Sequence, residues 1–314
     1  MTEIRNMKVY EKEYPTQDKK GCVLALGNFD GVHTGHRLLL EKARKYANDN
    51  GLEFGVYTFL KHPKLAVVKR HELITTLQEK LSFLSFIGVD FVYLEEFSDV
   101  KDFSPQEFVD MICEKFSAEC TFCGENFTFG KMAAGNEKML QQLMSGKGKK
   151  SVTVETLKVD GSVVSSTEIR RLIHEGDMES VSLLAGEAYG FTSTVIQGAK
   201  LGRTMGFPTI NQQIPEEKII PAYGVYSSIV IVDGKEYKGV TDVGVKPTVS
   251  DDERKILAET HILDFNEDVY GKHVSVFLKK RLRGEKKFRN LSELTKEIEK
   301  NVEQTREYFK ELKK

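Results

Sequence analysis

The order of an apolar run, a glycine-rich turn, an amphipathic helix and a second apolar run constrains this chain more than any other feature. Residues 22–27 (CVLALG) form the first run. Leu39, Leu40, Ala43, Tyr46 and Ala47 recur at helical spacing, and residues 54–59 form the second run. A strand, a crossover helix and another strand make a βαβ unit, which requires parallel strands and a right-handed crossover. The pattern repeats. Leu77, Leu81 and Leu84 make a helical stripe closed by Gly88, and residues 89–94 read as the next strand. Ser104, Pro105 and Glu107 are spaced as an N-cap, a first helical position and the far side of a capping box. Such alternation predicts an α/β domain on a parallel sheet.

The texture changes after about residue 186, where residues 226–232, 237–243, 260–265 and 273–278 read as short strands and Asp233-Gly234 as a hairpin turn. This predicts a small antiparallel β-barrel or sandwich. A helix over 292–312, with Leu294, Ile298, Val302, Thr305 and Phe309 on one face, is expected to pack on it. A length of 314 residues suits two such domains, expected at 1–185 and 186–314. With 40% apolar residues, 30% charged residues and a net charge of −1, the chain is neither disordered nor broadly attracted to nucleic acid. No run approaches the roughly 18 apolar residues of a membrane span, and the start lacks a signal-peptide core, so a cytoplasmic location is expected. Cys120 and Cys123 form a CxxC in a strand-like run without a second Cys or His pair, which predicts buried strand cysteines.

The first apolar run ends at Gly27 and continues as Asn28-Phe29-Asp30-Gly31-Val32-His33-Thr34-Gly35-His36. Gly27, Gly31 and Gly35 allow an anion to approach backbone N–H groups between strand and helix. His33 and His36 bracket the helix start, where imidazoles reach phosphate oxygens and the helix dipole adds positive potential. Ser165 and Glu168 spell a capping box, and a capped helix start is itself an anion site. HTGH resembles the HxGH signature of the nucleotidyltransferase superfamily, and SSTEIR resembles its second half. That resemblance implies attack on the α-phosphorus of ATP with loss of pyrophosphate, and makes His33, His36 and Arg170 the charge-stabilising donors.

GNFDGVHTGH, TFLKHP at 58–63, GENFTFG and SSTEIR together resemble the FMN adenylyltransferase module of the bacterial bifunctional riboflavin kinase/FAD synthetases. The likeness covers residues 20 to about 185. It implies a Rossmann-like nucleotidyltransferase domain in which Gly27, Asn28, Phe29, Asp30, Gly31, Gly35, Asn126, Ser165, Ser166 and Thr167 bind ATP and phosphate. Phe59, His62, Pro63 and Phe127 are implied to line the flavin side. The chain departs from the family at Leu60 and Lys61, where an acidic residue and proline are usual.

Residues 198–211 carry glycines ahead of Pro208-Thr209-Ile210-Asn211 but no GK[ST], so they are not a Walker A loop. They resemble the GxxxGRxxGFPTxN signature of riboflavin kinases, and PAYGVY, GVKPT and ETHILDF follow in family order over about 190–290. The resemblance implies that Gly198, Gly202, Arg203 and Gly206 bind ATP and that Thr209 and Asn211 hold Mg²⁺. It further implies Phe207 and Arg283 at the flavin, and Glu259 as general base toward the ribityl 5′-hydroxyl. Asp242 stands where the family often has Asn, and Gly284 where Pro is frequent. The implied partners are riboflavin, FMN, ATP and FAD, with Mg²⁺ as cofactor and neither membrane nor nucleic acid. The residues leave the oligomeric state open. They also leave open a chain with one of the two activities, or a flavin-binding regulator.

Overall fold

A computed structural model of the chain describes residues 7–14, 21–66, 68, 72–198, 202, 205–247 and 254–312. Two compact units result, Met1–Ser166 and Thr167–Lys314.

The first unit contains β1 (Lys8–Glu11), β2 (Cys22–Leu26), α1 (Thr34–Asn50), β3 (Glu53–Phe59), α2 (Leu77–Ile87), β4 (Phe91–Glu95) and the short α3 (Phe97–Val100). α4 (Pro105–Phe116), β5 (Ala118–Gly124), β6 (Thr128–Phe129), β7 (Gly135–Asn136), α5 (Glu137–Gly146), β8 (Lys150–Val154), β9 (Lys158–Val159) and β10 (Ser162–Val163) follow. Six strands form one parallel sheet in the order β1-β4-β3-β2-β5-β8. Along β2 the two-residue period turns Val23 and Ala25 toward Leu39, Leu40 and Ala43 of α1 and Leu84 of α2. Cys22, Leu24 and Leu26 face the other way, into Phe108, Ile112 and Phe116 of α4 and Leu140 and Met144 of α5. Helices on both faces explain why this strand is apolar throughout instead of alternating. The same period sends Cys120 and Cys123 to opposite cores, where both are free thiols and burial pushes each up to about 11. The helix ends obey local chemistry. Ser104 and Glu107 close a capping box before Pro105, Thr76 and Glu79 close another, and Gly51 and Gly88 end α1 and α2 in the left-handed region.

The second unit takes up α6 (Ser166–Glu175) and α7 (Met178–Ala185) and then closes a barrel from β11 (Gly190–Ile196), β12 (Ile210–Gln213), β13 (Gly224–Val232), β14 (Lys235–Pro247), β15 (Arg254–Ile262) and β16 (His273–Arg283). Its order is β11-β12-β15-β14-β13-β16, with every pair antiparallel. Closure decides for a barrel over a sandwich. Asp233 (φ 49°) and Gly234 (φ 78°) make the expected two-residue turn, with Val232 opposite Lys235. The strand expected over 260–265 instead starts at Arg254 and stops at Ile262, because the chain turns at Asp264 with φ 57°. Tyr226, Ser228, Val230, Thr241, Val243, Ala258 and Thr260 fill the barrel interior without exposure. Their hydroxyls are satisfied in a ladder, Ser228 to Thr241 at 2.8 Å and Thr241 to Thr260 at 2.9 Å. The last helix, Leu291–Glu311, packs on β13 and β14, burying Asn301, Thr305 and Phe309.

Gly55 of β3 faces Phe91 of β4, and a Cβ there would overlap the Phe91 ring. Gly55→Val is therefore expected to destabilise the first unit by about 1–3 kcal/mol through overpacking. Urea unfolding checks this, and an unchanged midpoint would refute it.

Candidate active sites

In the parallel sheet the crossovers after β2 move one way, through β3 to β4, whereas β5 lies on the other side of β2. A crevice opens at such a switch point, outside the carboxyl ends of the strands. The loop after β2 (27–33), the loop after β3 (60–62) and the turn after β5 (125–127) all leave this edge. Three of the sequence motifs thereby meet.

His33 is the N-cap of α1, and its Nδ1 accepts the backbone N–H of His36 at 3.3 Å. The two rings stack at 3.6 Å with an interplanar angle of 16°. Burial, the neighbouring His33 and the Lys80 ammonium hold His36 well below the ordinary histidine range, so it is uncharged at neutral pH. Its Nδ1 is buried without a hydrogen-bond partner. A neutral imidazole at a helix start is a directed donor or acceptor and not a fixed charge.

The loop between them is held from below. The Asp30 carboxylate is buried and accepts the N–H groups of Ile74 (3.0 Å) and Thr75 (3.1 Å), while Gly31 N donates to Thr75 Oγ1 at 3.0 Å. Asp30, expected with the phosphate-binding residues, uses its side chain to fasten residues 74–75 to the loop. Its carbonyl accepts the Ser166 hydroxyl at 2.9 Å, which draws the start of SSTEIR to the histidine loop. Phe29, also expected at phosphate, is a core residue at 1% exposure. Several loop amides are already occupied: Gly27 N by Tyr57 O, Gly31 N by Thr75 and Val32 N by Phe29 O. Phe29 and Val32 sit at φ 51° and 33°, strained values that this network sustains. Lys80 reaches in from α2 and donates to Asn28 O, Thr58 Oγ1 and Phe59 O, each at 3.3 Å.

The opposite side of the crevice is aromatic. Phe59 packs between Tyr57 and Phe97, and Phe127 stacks on Phe129, which is tilted against Phe108. Asn126 is exposed on the turn after β5. His62 Nδ1 accepts the Lys64 N–H as Pro63 begins a short 3₁₀ turn. Ser165 precedes α6; Thr167 is exposed and Arg170 half-buried on that helix, in the second unit.

On the barrel, Glu259 of β15 lies directly opposite Asn211 of β12 and, on its other side, Asp242 of β14. Directly opposed residues share a face. Since Ala258, Thr260, Thr241 and Val243 fill the interior, strand alternation turns this row to the outer face. Thr209 immediately precedes β12. Gly198 and Gly202 adjoin the row: a Cβ on Gly198 would collide with the Asn211 carboxamide, and one on Gly202 with the Phe207 carbonyl, 3.4 Å from Thr209 Oγ1. Glycine at both positions lets the backbone pack directly against these groups. Gly206 takes φ 84° in the turn between Gly202 and Phe207. His261 donates from Nδ1 to the Pro208 carbonyl at 2.8 Å and meets the Phe207 ring edge-on, and burial holds it below the ordinary histidine range. A cavity of about 250 Å³ beside Thr209 is lined by Ile262, Phe265, Val269 and Tyr270 among others. Arg283 is tied to Asn301 Oδ1 (3.1 Å) on the last helix. Arg203 lies outside the described residues.

The two units match different families. The FAD synthetase family matches residues 15–168 and the riboflavin kinase family residues 185–309. Bifunctional riboflavin kinase/FMN adenylyltransferases from Bacillus subtilis and Escherichia coli are 35% and 33% identical, spanning 95% and 93% of this chain and 96% and 94% of the relatives. This chain belongs to that family. A crystal structure described as a macrolide-efflux protein from Streptococcus pneumoniae is also similar, with a TM-score of 0.86 and 29% identity over 95% of this chain and 98% of the other. Among the described residues here, no helix is long and apolar enough to cross a membrane.

Within this riboflavin kinase/FMN adenylyltransferase, Lys80, Thr75 and His261 escaped the sequence reading as site-forming residues. Each acts through a hydrogen bond to a segment distant in sequence, and no local spacing announces that. The clamp under the loop is testable. Asp30→Ala leaves the Ile74 and Thr75 N–H groups without their acceptor, at about 1–3 kcal/mol for each buried donor. Amide exchange at both positions should accelerate together, and unchanged protection would refute the clamp.

Proposed function

We propose that the chain carries riboflavin to FAD in two ATP-consuming steps, with residues 186–314 acting as riboflavin kinase and residues 1–185 as FMN adenylyltransferase. The observation that most supports this is the barrel register, which sets a carboxylate (Glu259) beside a buried carboxamide (Asn211) on the outer face of the barrel, against Gly198.

In the kinase step Glu259 takes the proton of the ribityl 5′-hydroxyl as that oxygen bonds to the γ-phosphorus of ATP. The bond to the β-γ bridging oxygen breaks and ADP leaves. Thr209 and Asn211 carry hard oxygen donors, a set that fits Mg²⁺. When bound there, the ion would neutralise phosphate charge. Gly198, Gly202 and Gly206 let the chain approach the phosphates, with Arg203 beside them in sequence. Phe207, held by His261, offers a ring edge to the flavin.

In the adenylyl step an FMN phosphate oxygen bonds to the α-phosphorus of ATP, and pyrophosphate leaves with the bridging oxygen. No protein nucleophile is needed, so the residues position and stabilise. His33 and His36, with Ser165, Ser166, Thr167 and Arg170 of the SSTEIR segment, are assigned to the phosphates. Gly35 admits them to the start of α1, while Gly27 and Gly31 shape the loop beside them. Asn126 caps the nucleotide side, and Phe59, His62, Pro63 and Phe127 provide the surface for the isoalloxazine ring.

The purified chain given riboflavin, ATP and Mg²⁺ is expected to form FMN and then FAD, both resolved by chromatography. Glu259→Ala should slow FMN formation by roughly 10²–10⁴-fold yet still adenylylate supplied FMN. The His33→Ala/His36→Ala double variant should stop at FMN, and a chelator should halt the kinase step. FAD formation undiminished in the double variant, or FMN formation undiminished in Glu259→Ala, would refute the respective assignment.

A further inference from the structure

Lys80 belongs to neither motif, yet it joins two of them. Its ammonium spends all three N–H donors inside the protein: on the Asn28 carbonyl of the histidine loop, the Thr58 hydroxyl, and the Phe59 carbonyl that begins the flavin-side loop. Thr58 in turn donates to the Asn28 carbonyl at 3.2 Å, so the ends of β2 and β3 are bound through one cation. An aliphatic side chain at this position would leave two carbonyls facing each other without a shared donor. From this geometry we propose that Lys80 is a positioning residue for adenylyl transfer, fixing the histidine loop against the flavin-side loop and supplying a positive charge behind the histidine pair.

The charged groups around it fit the role. Asp30 from the loop after β2 attracts the ammonium, and His36 from α1 is held neutral in part by it. Glu79, its neighbour on α2, is engaged with the Thr76 N–H at 2.8 Å. From β3 the groups that face it are an uncharged hydroxyl and a carbonyl. Burial brings Lys80 down to about 8 against the opposing pull of Asp30. Below that pH the ammonium is present with three donors. As pH rises through it, the charge and one of the three donors are lost together, and the tie between the loops weakens. Since a lysine with a lowered pKa is charged on the acid side, the effect must appear as a falling alkaline limb.

This inference rests on the adenylyltransferase reading and deepens it. The test measures FAD formation from supplied FMN, and FMN formation from riboflavin, in the full chain from about pH 6.5 to 9.5. The adenylyl rate of the unmodified chain should fall with unit slope through about pH 8, while the kinase rate of the same chain shows no such limb. Lys80→Met should lower the adenylyl rate by roughly ten- to a hundredfold, the scale of a misplaced reacting group, and its residual rate should have no limb near pH 8. Kinase activity should be unchanged. A level adenylyl profile in the unmodified chain, which needs no variant to fold, overturns the proposal. So does a limb that survives in Lys80→Met. No FAD from the unmodified chain at any pH would instead remove the adenylyltransferase reading, and this proposal with it.

Discussion

Every strand of the first sheet runs the same way, and the positions of its functional loops follow from that constraint. Parallel pairing of β2 with both β3 and β5 brings their carboxyl ends to one edge, where residues separated by long stretches of sequence become neighbours. An antiparallel β2 would have sent its histidine loop to the far edge. The reversal of strand order at β2 then opens the edge into a crevice, with α1 and α2 on the face that carries the imidazoles and α4 on the face that carries the aromatic rings. Chemical polarity across the crevice is thus inherited from which helix covers which face.

The histidine side of that crevice is a small balance of buried charge. A carboxylate, Asp30, and an ammonium, Lys80, lie beneath a loop whose histidine next to them is uncharged. Both charges are engaged within the protein, Asp30 with the N–H groups of Ile74 and Thr75 and the Thr75 hydroxyl, and Lys80 with two carbonyls and a hydroxyl. Buried charges of this kind cost desolvation unless fully hydrogen-bonded, and here the bonds are what hold Phe29 and Val32 at positive φ. The loop's shape is therefore maintained by electrostatics and not by apolar packing alone.

Local chemistry was legible in the sequence wherever one segment decides its own form. The capping box at Ser104 and Glu107, the helix stop at Gly88 and the Asp233-Gly234 hairpin all appear as expected, because each is closed by residues within a few positions. What periodicity could not supply is the partner across space. Asp30 reads as a loop acid until Ile74 and Thr75 are seen beneath it, and Lys80 reads as one cation on an amphipathic helix until its three acceptors are seen. The strand expected over 260–265 was misplaced because apolar residues continue past Ile262, whereas the backbone turns at Asp264. Likewise the contact boundary at Ser166 precedes the change in texture near residue 186, since α6 and α7 are helical in sequence but pack with the barrel's unit.

The two sites achieve precision by different physical means. On the barrel, the spacing of Asn211, Glu259 and Asp242 is fixed by ladder register, and a closed barrel has no edge along which strands can slip. The interior hydroxyl ladder reinforces that register, since a one-residue shift would unpair Ser228, Thr241 and Thr260 at once. In the parallel unit His33 and His36 sit at the junction of a loop and α1, and that loop is positioned by Thr75 and Lys80, which reach it from other segments. The geometry of that site therefore rests on side-chain hydrogen bonds between distant segments, whereas the relative placement of the barrel residues rests on backbone pairing.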